Sequence, residues 1–142
     1  MPQTPERILT FMLPGERCGV DLDCIAEIVP AESMQPIPRT PSCFRGIQSI
    51  HGALVPVLDL AAFLHPVTRT VDGQLLVLKP DLANLALLVS SAERIEPAGG
   101  FRPSAEAADG IFPLLATVAG TEVRLLDPEL LVSRLTAALA GN

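Results

Sequence analysis

The sequence predicts a mainly β fold in which two small barrels interlock, with short capping helices and a C-terminal helix. Three observations lead there. Fourteen prolines and ten glycines are spread along all 142 residues, which cuts the chain into short elements and argues against a helical bundle. Apolar, β-branched runs of strand length alternate with glycine turns. Finally, one pattern recurs: Gly52, Val55, Leu58 and Asp59 match Gly120, Val123, Leu126 and Asp127, and the bulky Phe63 and Leu64 match Leu131 and Val132. Gly15, Cys18 and Asp23 give a looser third copy. In each copy a glycine turns the chain, a strand pairs back, and an aspartate caps a helix that covers the end of the sheet. Two barrels of about 70 residues each would have marginal cores alone, so they are expected to pack together, share strands and leave a groove between them.

Taken in order, Ile8 to Leu13 reads as a strand, Pro14-Gly15-Glu16 as its turn and Cys18-Gly19-Val20 as the returning strand. Asp21 or Asp23 then caps a helix through Val29, because Ile25, Ile28 and Val29 fall at i, i+3 and i+4 and Pro30 closes the segment. Three prolines between Pro36 and Pro41 make that stretch an extended edge. Phe44 to Ile50 and Ala53 to Leu58 flank His51-Gly52 as two strands of a tight hairpin, and Pro56 places part of the second on an exposed edge. Asp59 caps a helix over Leu60 to Leu64, stopped by Pro66. Leu75 to Leu78 and Leu85 to Val89 read as buried strands, with Glu93 to Glu96 extending the second along an edge. Pro97 to Gly110 reads as a loop. Ile111 to Val118 and Glu122 to Leu126 form another hairpin around Gly120. Asp127 at N-cap and Pro128 at N1 then open a helix through Leu139 that lies as a lid on its own barrel.

Composition excludes several functions. Sixteen acidic against ten basic residues give a net charge of −6, with Lys and Arg scattered, so nucleic-acid binding is excluded. Trp and Tyr are absent, which removes the usual stacking platforms for bases and sugars. MPQTPERILTFML has no basic region followed by a long apolar core, so it does not read as a secretion signal. The apolar runs are broken by Pro56, Asp59 and Asn84 and fall short of the ~20 residues a spanning helix requires. No membrane insertion is expected, and the default compartment is the cytoplasm. Cys18, Cys24 and Cys43 lack the C-x-x-C spacing of a zinc knuckle and read as buried reduced thiols rather than a disulfide framework.

Chemistry finds few parts. His51 and Asp59 stand at opposite ends of a strand, roughly 20 Å apart at ~3.4 Å per residue, too far for a catalytic pair. There is no G-x-S-x-G, no G-x-x-x-x-G-K-[ST] and no G-x-G-x-x-G, so neither an activated serine nor a phosphate cradle is present, and no catalytic residue, metal or cofactor is expected. An enzymatic alternative would gather Cys43, His51 and Asp59 into one cleft.

The succession FMLPGERCGVDLDCIAEIVP, PSCFRGIQSIHGALVPVLDLAAFL and GTEVRLLDPELL resembles the CheW-like domain of bacterial chemosensory systems over nearly the whole chain. Gly46, Gly52, Pro56, Val57, Asp59 and Leu60 match the family's central motif, with Gln48 in place of one of an apolar pair. Where the family usually reads Asn-Leu-Arg-Gly this chain reads Ser49-Ile50-His51-Gly52. The resemblance implies one domain over residues 1–142, made of two intertwined five-stranded SH3-like barrels and without enzymatic activity. It further implies an adaptor between the cytoplasmic tip of a chemoreceptor and the regulatory domain of a chemotaxis histidine kinase. On it, Ile28, Val29, Val55 and Val57 are expected as apolar partner contacts and Phe44, Arg45 and His51 as the adjoining surface, with Gly46, Gly52, Pro56, Asp59, Gly120 and Asp127 as structural positions. Histidine offers at most two donors where arginine offers five with permanent charge, which suggests a divergent adaptor. The alternative from the same class is an accessory adaptor in a chemosensory-like pathway for surface motility or development.

Overall fold

The computed structural model describes residues 4–105 and 110–140. It is mainly β, in two sheets. β1 (Arg7–Leu13) and β2 (Glu16–Asp21) are followed by a single 3₁₀ turn, Leu22–Cys24, and by β3 (Ile25–Pro30). β4 (Phe44–Ile50) and β5 (Ala53–Asp59) lead into α1 (Leu60–Leu64). β6 (Gln74–Leu78), β7 (Ala86–Val89), β8 (Ser91–Pro97) and β9 (Gly99–Pro103) follow. β10 (Leu114–Val118), β11 (Thr121–Leu126) and α2 (Pro128–Ala140) complete the order. The chain divides into two compact units: one is built on Ile25–Ala92 with Met12–Gly15, the other on Glu16–Cys24 with the segments up to Phe11 and from Glu93 onward.

In the unit built on Ile25–Ala92 the strand order is β3-β6-β7-β5-β4. Its core joins Ile50, Val55, Val57, Leu75, Ala86 and Leu88. The two outer strands are tied together. Past the end of β3, Gln35 exchanges two backbone bonds with Ile47 of β4, at 2.9 and 2.7 Å. The buried amide of Gln48 adds two more, accepting from the Glu32 N–H at 2.9 Å and donating to the Pro30 carbonyl at 3.2 Å. Gln48 therefore stands in an apolar position because it satisfies two backbone groups where β3 leaves its ladder. Gly46 makes the closure possible, since a Cβ there would lie 2.5 Å from the Gln35 carbonyl oxygen and its φ of +145° is one side chains avoid.

The other unit has the order β8-β1-β2-β11-β10-β9. β8 and β9 are consecutive in the chain, one beside β1 and the other beside β10, so a bent strand closes this sheet as the Gln35 segment closes the first. The internal repeat is reproduced residue by residue. Gly46 faces Val57, Gln48 faces Val55 and Ile50 faces Ala53, as Leu114 faces Leu125, Ala116 faces Val123 and Val118 faces Thr121. Both hairpins turn through two residues with positive φ, His51-Gly52 at +50° and +82° and Ala119-Gly120 at +50° and +78°, the type I′ geometry that matches strand twist. In both, the second strand pairs in parallel with a distant one, Leu58 with Leu87 and Leu126 with Val20. The cap aspartates also anchor alike: the Asp59 N–H donates to the Cys43 carbonyl and the Asp127 N–H to the Ile111 carbonyl. Asp127 caps α2 through Oδ1, which accepts from the N–H groups of Glu129 and Leu130.

Several expectations are corrected. The segment expected as a helix through Val29 is a 3₁₀ turn and an edge strand, because β3 gains five paired positions against β6 while a helix of that length lacks the turns to offset nucleation. Glu93 to Glu96 lies in β8, beside β1 and not in the sheet of β7. The stretch Pro97 to Gly110 contains β9; its residues 106–109 lie outside the described residues. Between Pro36 and Pro41 the chain turns, with Arg39 at φ +62°, and only the preceding Gln35 is laddered. β10 begins at Leu114 rather than Ile111, just after Pro113, which has no N–H to donate. β5 is not an edge strand: it lies between β4 and β7. Its pairing with β7 begins only at Val57, and Pro56 sits one residue before it.

Two substitutions test the closure. Gly46→Ala should lower unfolding free energy by about 2 kcal/mol, from strained backbone and the collision with Gln35, and Gln48→Leu by about 1 to 2 kcal/mol, from two stranded backbone groups. Urea denaturation followed by far-UV circular dichroism reads both; unchanged midpoints would remove these contacts from the account of closure.

Candidate partner-binding face

β4 and β5 alternate, and that alternation decides which side chains face outward. Gln48, Ile50, Val55 and Val57 point into the core; Ile47, Ser49, Leu54 and Pro56 point outward, and Leu54 is 66 % exposed. Val55 and Val57, expected as partner contacts, are therefore core residues in this fold, and Leu54 is the exposed apolar side chain of β5. The same holds along β3: Val29 packs on the core cluster while Ile28 is exposed.

His51 occupies the first turn position, where its positive φ is one that histidine tolerates better than most side chains. Its Nε2 lies 2.8 Å from Oε1 of Glu27 on β3, so the ring is held while remaining largely exposed. The Asn84 amide donates to the Leu54 carbonyl at 3.1 Å, where β5 has no neighbour strand yet. His51, Leu54 and the surrounding turn thus form a braced projection of the unit.

At the far end of β5 the geometry is set by Asp59. Its carboxylate is fully buried and accepts four bonds: from the Ala62 N–H at 3.3 Å, the Thr70 N–H at 2.9 Å, the Thr70 hydroxyl at 2.8 Å and Arg45 Nη1 at 3.2 Å. Arg45 Nη1 also donates to the Thr70 carbonyl at 2.8 Å. Arg45 reaches this site because a bulge between Phe44 and Gly46 leaves it without a ladder partner and re-aims it. Phe44, half-buried, starts β4 opposite Leu58. Asp59 is thus more than a helix cap. It ties α1, the following loop and the bulge into one network.

Cys43, His51 and Asp59 do not form a common pocket. Cys43 contacts Asp59 through backbone, while His51 stands at the other end of a strand, roughly 20 Å away. The thiols are poor nucleophiles at neutral pH. Burial, then the Glu16 charge, pushes Cys18 up to about 12; burial, then Asp21 and other acids, pushes Cys24 up to about 11; burial raises Cys43. Among the described residues no group of three His, Cys, Asp or Glu could hold a metal ion, and no helix is long and apolar enough to cross a membrane.

Comparison with known proteins agrees with this architecture. A family model described as "CheW-like domain" matches residues 7–135, and the chain belongs to that family. The chain is 24 % identical over 95 residues to the "Chemotaxis protein CheW" of Treponema pallidum (strain Nichols), covering 63 % of this chain and 56 % of that protein. It is 36 % identical over 59 residues to "Protein FrzA" of Myxococcus xanthus, covering 42 % of this chain and 37 % of the relative. The chain therefore spans little more than half of one curated relative and about a third of the other. Among solved structures, the scaffolding protein TtCheW of Thermoanaerobacter tengcongensis superposes with a TM-score of 0.73 at 20 % identity, covering 88 % of this chain and 86 % of that one; it shares the fold.

The sequence reading missed Glu27 and Leu54. A strand pattern from Ile25 to Pro30 would have put Glu27 on the side of Val29, and the parity of the buried cap Asp59 would have turned Val55 and Val57 inward.

Asp59→Asn keeps the shape but leaves Arg45 without its counter-charge. Since Arg45 is about a quarter exposed, the loss should be about 2 kcal/mol, below that of a fully buried pair. The thiols give a pH signature. Their folded values lie above the ordinary 9.0, so between that value and about 11 the unfolded chain sheds protons that the folded chain keeps, and stability falls as pH rises. Urea denaturation at about pH 8 and about pH 10.5 should show this drop, and Cys18→Ala with Cys24→Ala should shrink it.

Proposed function

We propose that the chain is a non-catalytic signalling adaptor of the cytoplasm, acting as a single CheW-like domain made of two barrel subdomains. It couples the cytoplasmic tip of a chemoreceptor to the regulatory domain of a chemotaxis-type histidine kinase. The match of the family model to residues 7–135 carries this reading. It is consistent with Asp59 serving structure, since its carboxylate is engaged by four internal donors.

The contact surface is the braced β4–β5 projection, with Leu54 as apolar anchor, His51 as polar neighbour and Ile28 adjoining; Phe44 and Arg45 lie at the other end of the hairpin, beside Asp59, and are not part of it. Val29, Val55 and Val57 act from beneath, holding its shape. Because Glu27 already engages His51, a partner meets an imidazole whose Nε2 is occupied by a carboxylate where the family usually presents an arginine. An accessory adaptor for surface motility or development is the second reading, and Ser49-Ile50-His51-Gly52 in place of Asn-Leu-Arg-Gly favours it.

Leu54→Asp should weaken binding to one of the two fragments, receptor tip or kinase regulatory domain, by about 1 to 3 kcal/mol without changing the melting temperature, because Leu54 is exposed. His51→Arg should change affinity for the same fragment, as titration calorimetry would record. If both fragments bind and neither substitution alters either affinity, the projection is not the contact surface.

A further inference from the structure

The β4–β5 hairpin carries an imidazole that its turn does not need. The equivalent turn of the other unit places Ala119 at the same φ, +50°, and forms with no side chain beyond Cβ. Stability does not account for His51 either: its ring is 75 % and the Glu27 side chain 35 % exposed, and exposed pairs of this kind contribute little. What the pair does fix is the ring. Nε2 meets Oε1 of Glu27 at 2.8 Å, and a carboxylate only accepts, so Nε2 carries the proton. In the neutral ring the other nitrogen, Nδ1, is then an acceptor. Among the described residues Nδ1 has no hydrogen-bond partner. The loop before β7, whose Asn84 donates to the Leu54 carbonyl, carries Lys79 and Asp81, and neither is ion-paired with Glu27 or His51.

We propose that the tautomer held by Glu27 makes His51 a reader of hydrogen-bond donors: Nδ1 accepts from an N–H or O–H on the partner segment that docks beside Leu54. This role rests on the adaptor reading of the projection and states what its partner must offer. An arginine at this position can only donate and so selects acceptors; the histidine selects the opposite. Glu27 is a positioning residue, acting through the ring and not on the partner. Protonation of Nδ1 turns the acceptor into a donor facing another donor, which couples docking to pH.

Titration calorimetry with the receptor-tip and kinase regulatory fragments, together with imidazole nitrogen NMR spectra of the full chain, tests this role. The chain has two histidines, so His51→Gln assigns the signals. At about pH 8 the free chain should show Nε2–H and an unprotonated Nδ1. Adding the fragment that binds should shift Nδ1 as accepting a hydrogen bond does, with Nε2–H retained. Affinity should fall about tenfold at about pH 5.5, where the ring is protonated, and by a similar factor on His51→Arg at about pH 8; the pH effect should vanish in His51→Gln. Glu27→Lys, which presents Nε2 with donors only, should drive the proton to Nδ1 and weaken the complex at about pH 8. The His51 variants should melt with the wild type, as the side chain is exposed. An Nδ1 that is protonated or unmoved in the complex at about pH 8, a His51→Arg affinity equal to or above wild type, or a pH effect that persists in His51→Gln would overturn the role while leaving the adaptor reading standing. If neither fragment binds the wild-type chain at either pH, the adaptor reading fails and this role with it.

Discussion

The buried carboxylate of Asp59 fixes more of its unit than any other group. A charge removed from water is tolerated only when its lone pairs are filled, and here four donors from three chain segments fill them. Each donor is thereby positioned. Ala62 starts α1, Thr70 pins the loop before β6, and Arg45 is drawn out of the β4 ladder at its bulge. A neutral side chain would leave the guanidinium facing the floor of this network without its counter-charge. The same carboxylate therefore starts a helix, rigidifies a loop and sets the end of the sheet from which the β4–β5 hairpin projects.

The repeat shows where divergence has been placed. Both units share hairpin register, turn geometry, parallel pairing and a cap aspartate anchored to a carbonyl of the preceding segment. They differ at the positions that carry side-chain business. Arg45 corresponds to Pro113, so among the described residues the four-donor network belongs to the unit built on Ile25–Ala92 alone. His51 corresponds to Ala119, so only one hairpin turn carries a side chain braced to the strand opposite. A scaffold repeated in register keeps its backbone requirements, while its exposed and cap-adjacent side chains are free to specialise.

Much of this was legible in the residues. Gly52 and Gly120, the aspartates seven residues after each, and Pro128 all state local chemistry that tertiary contacts do not override, and they fixed hairpins, caps and α2. The segment from Asp21 to Val29 was not legible, because Ile25, Ile28 and Val29 satisfy a helical spacing and a strand equally well, and the pairing with β6 that decides between them is remote in sequence. Val55 and Val57 were misplaced for a related reason: alternation gives two faces, and only the burial of Asp59 says which is inside. Gln48 looked like a defect in an apolar position until the carbonyl and N–H it satisfies came into view. β9 was hidden by glycines and prolines that mark a bend in a strand as readily as a loop.

An adaptor differs from a simple ligand of either partner in that it must hold both at once. The direct measurement is sedimentation velocity on three purified components: this chain, a soluble receptor-tip hairpin, and the regulatory domain of the kinase from the same cell. The adaptor reading requires one ternary species that forms only when the chain is present, with receptor tip and kinase domain failing to co-sediment without it. Binding of neither component, or displacement of one by the other on the chain, would contradict it.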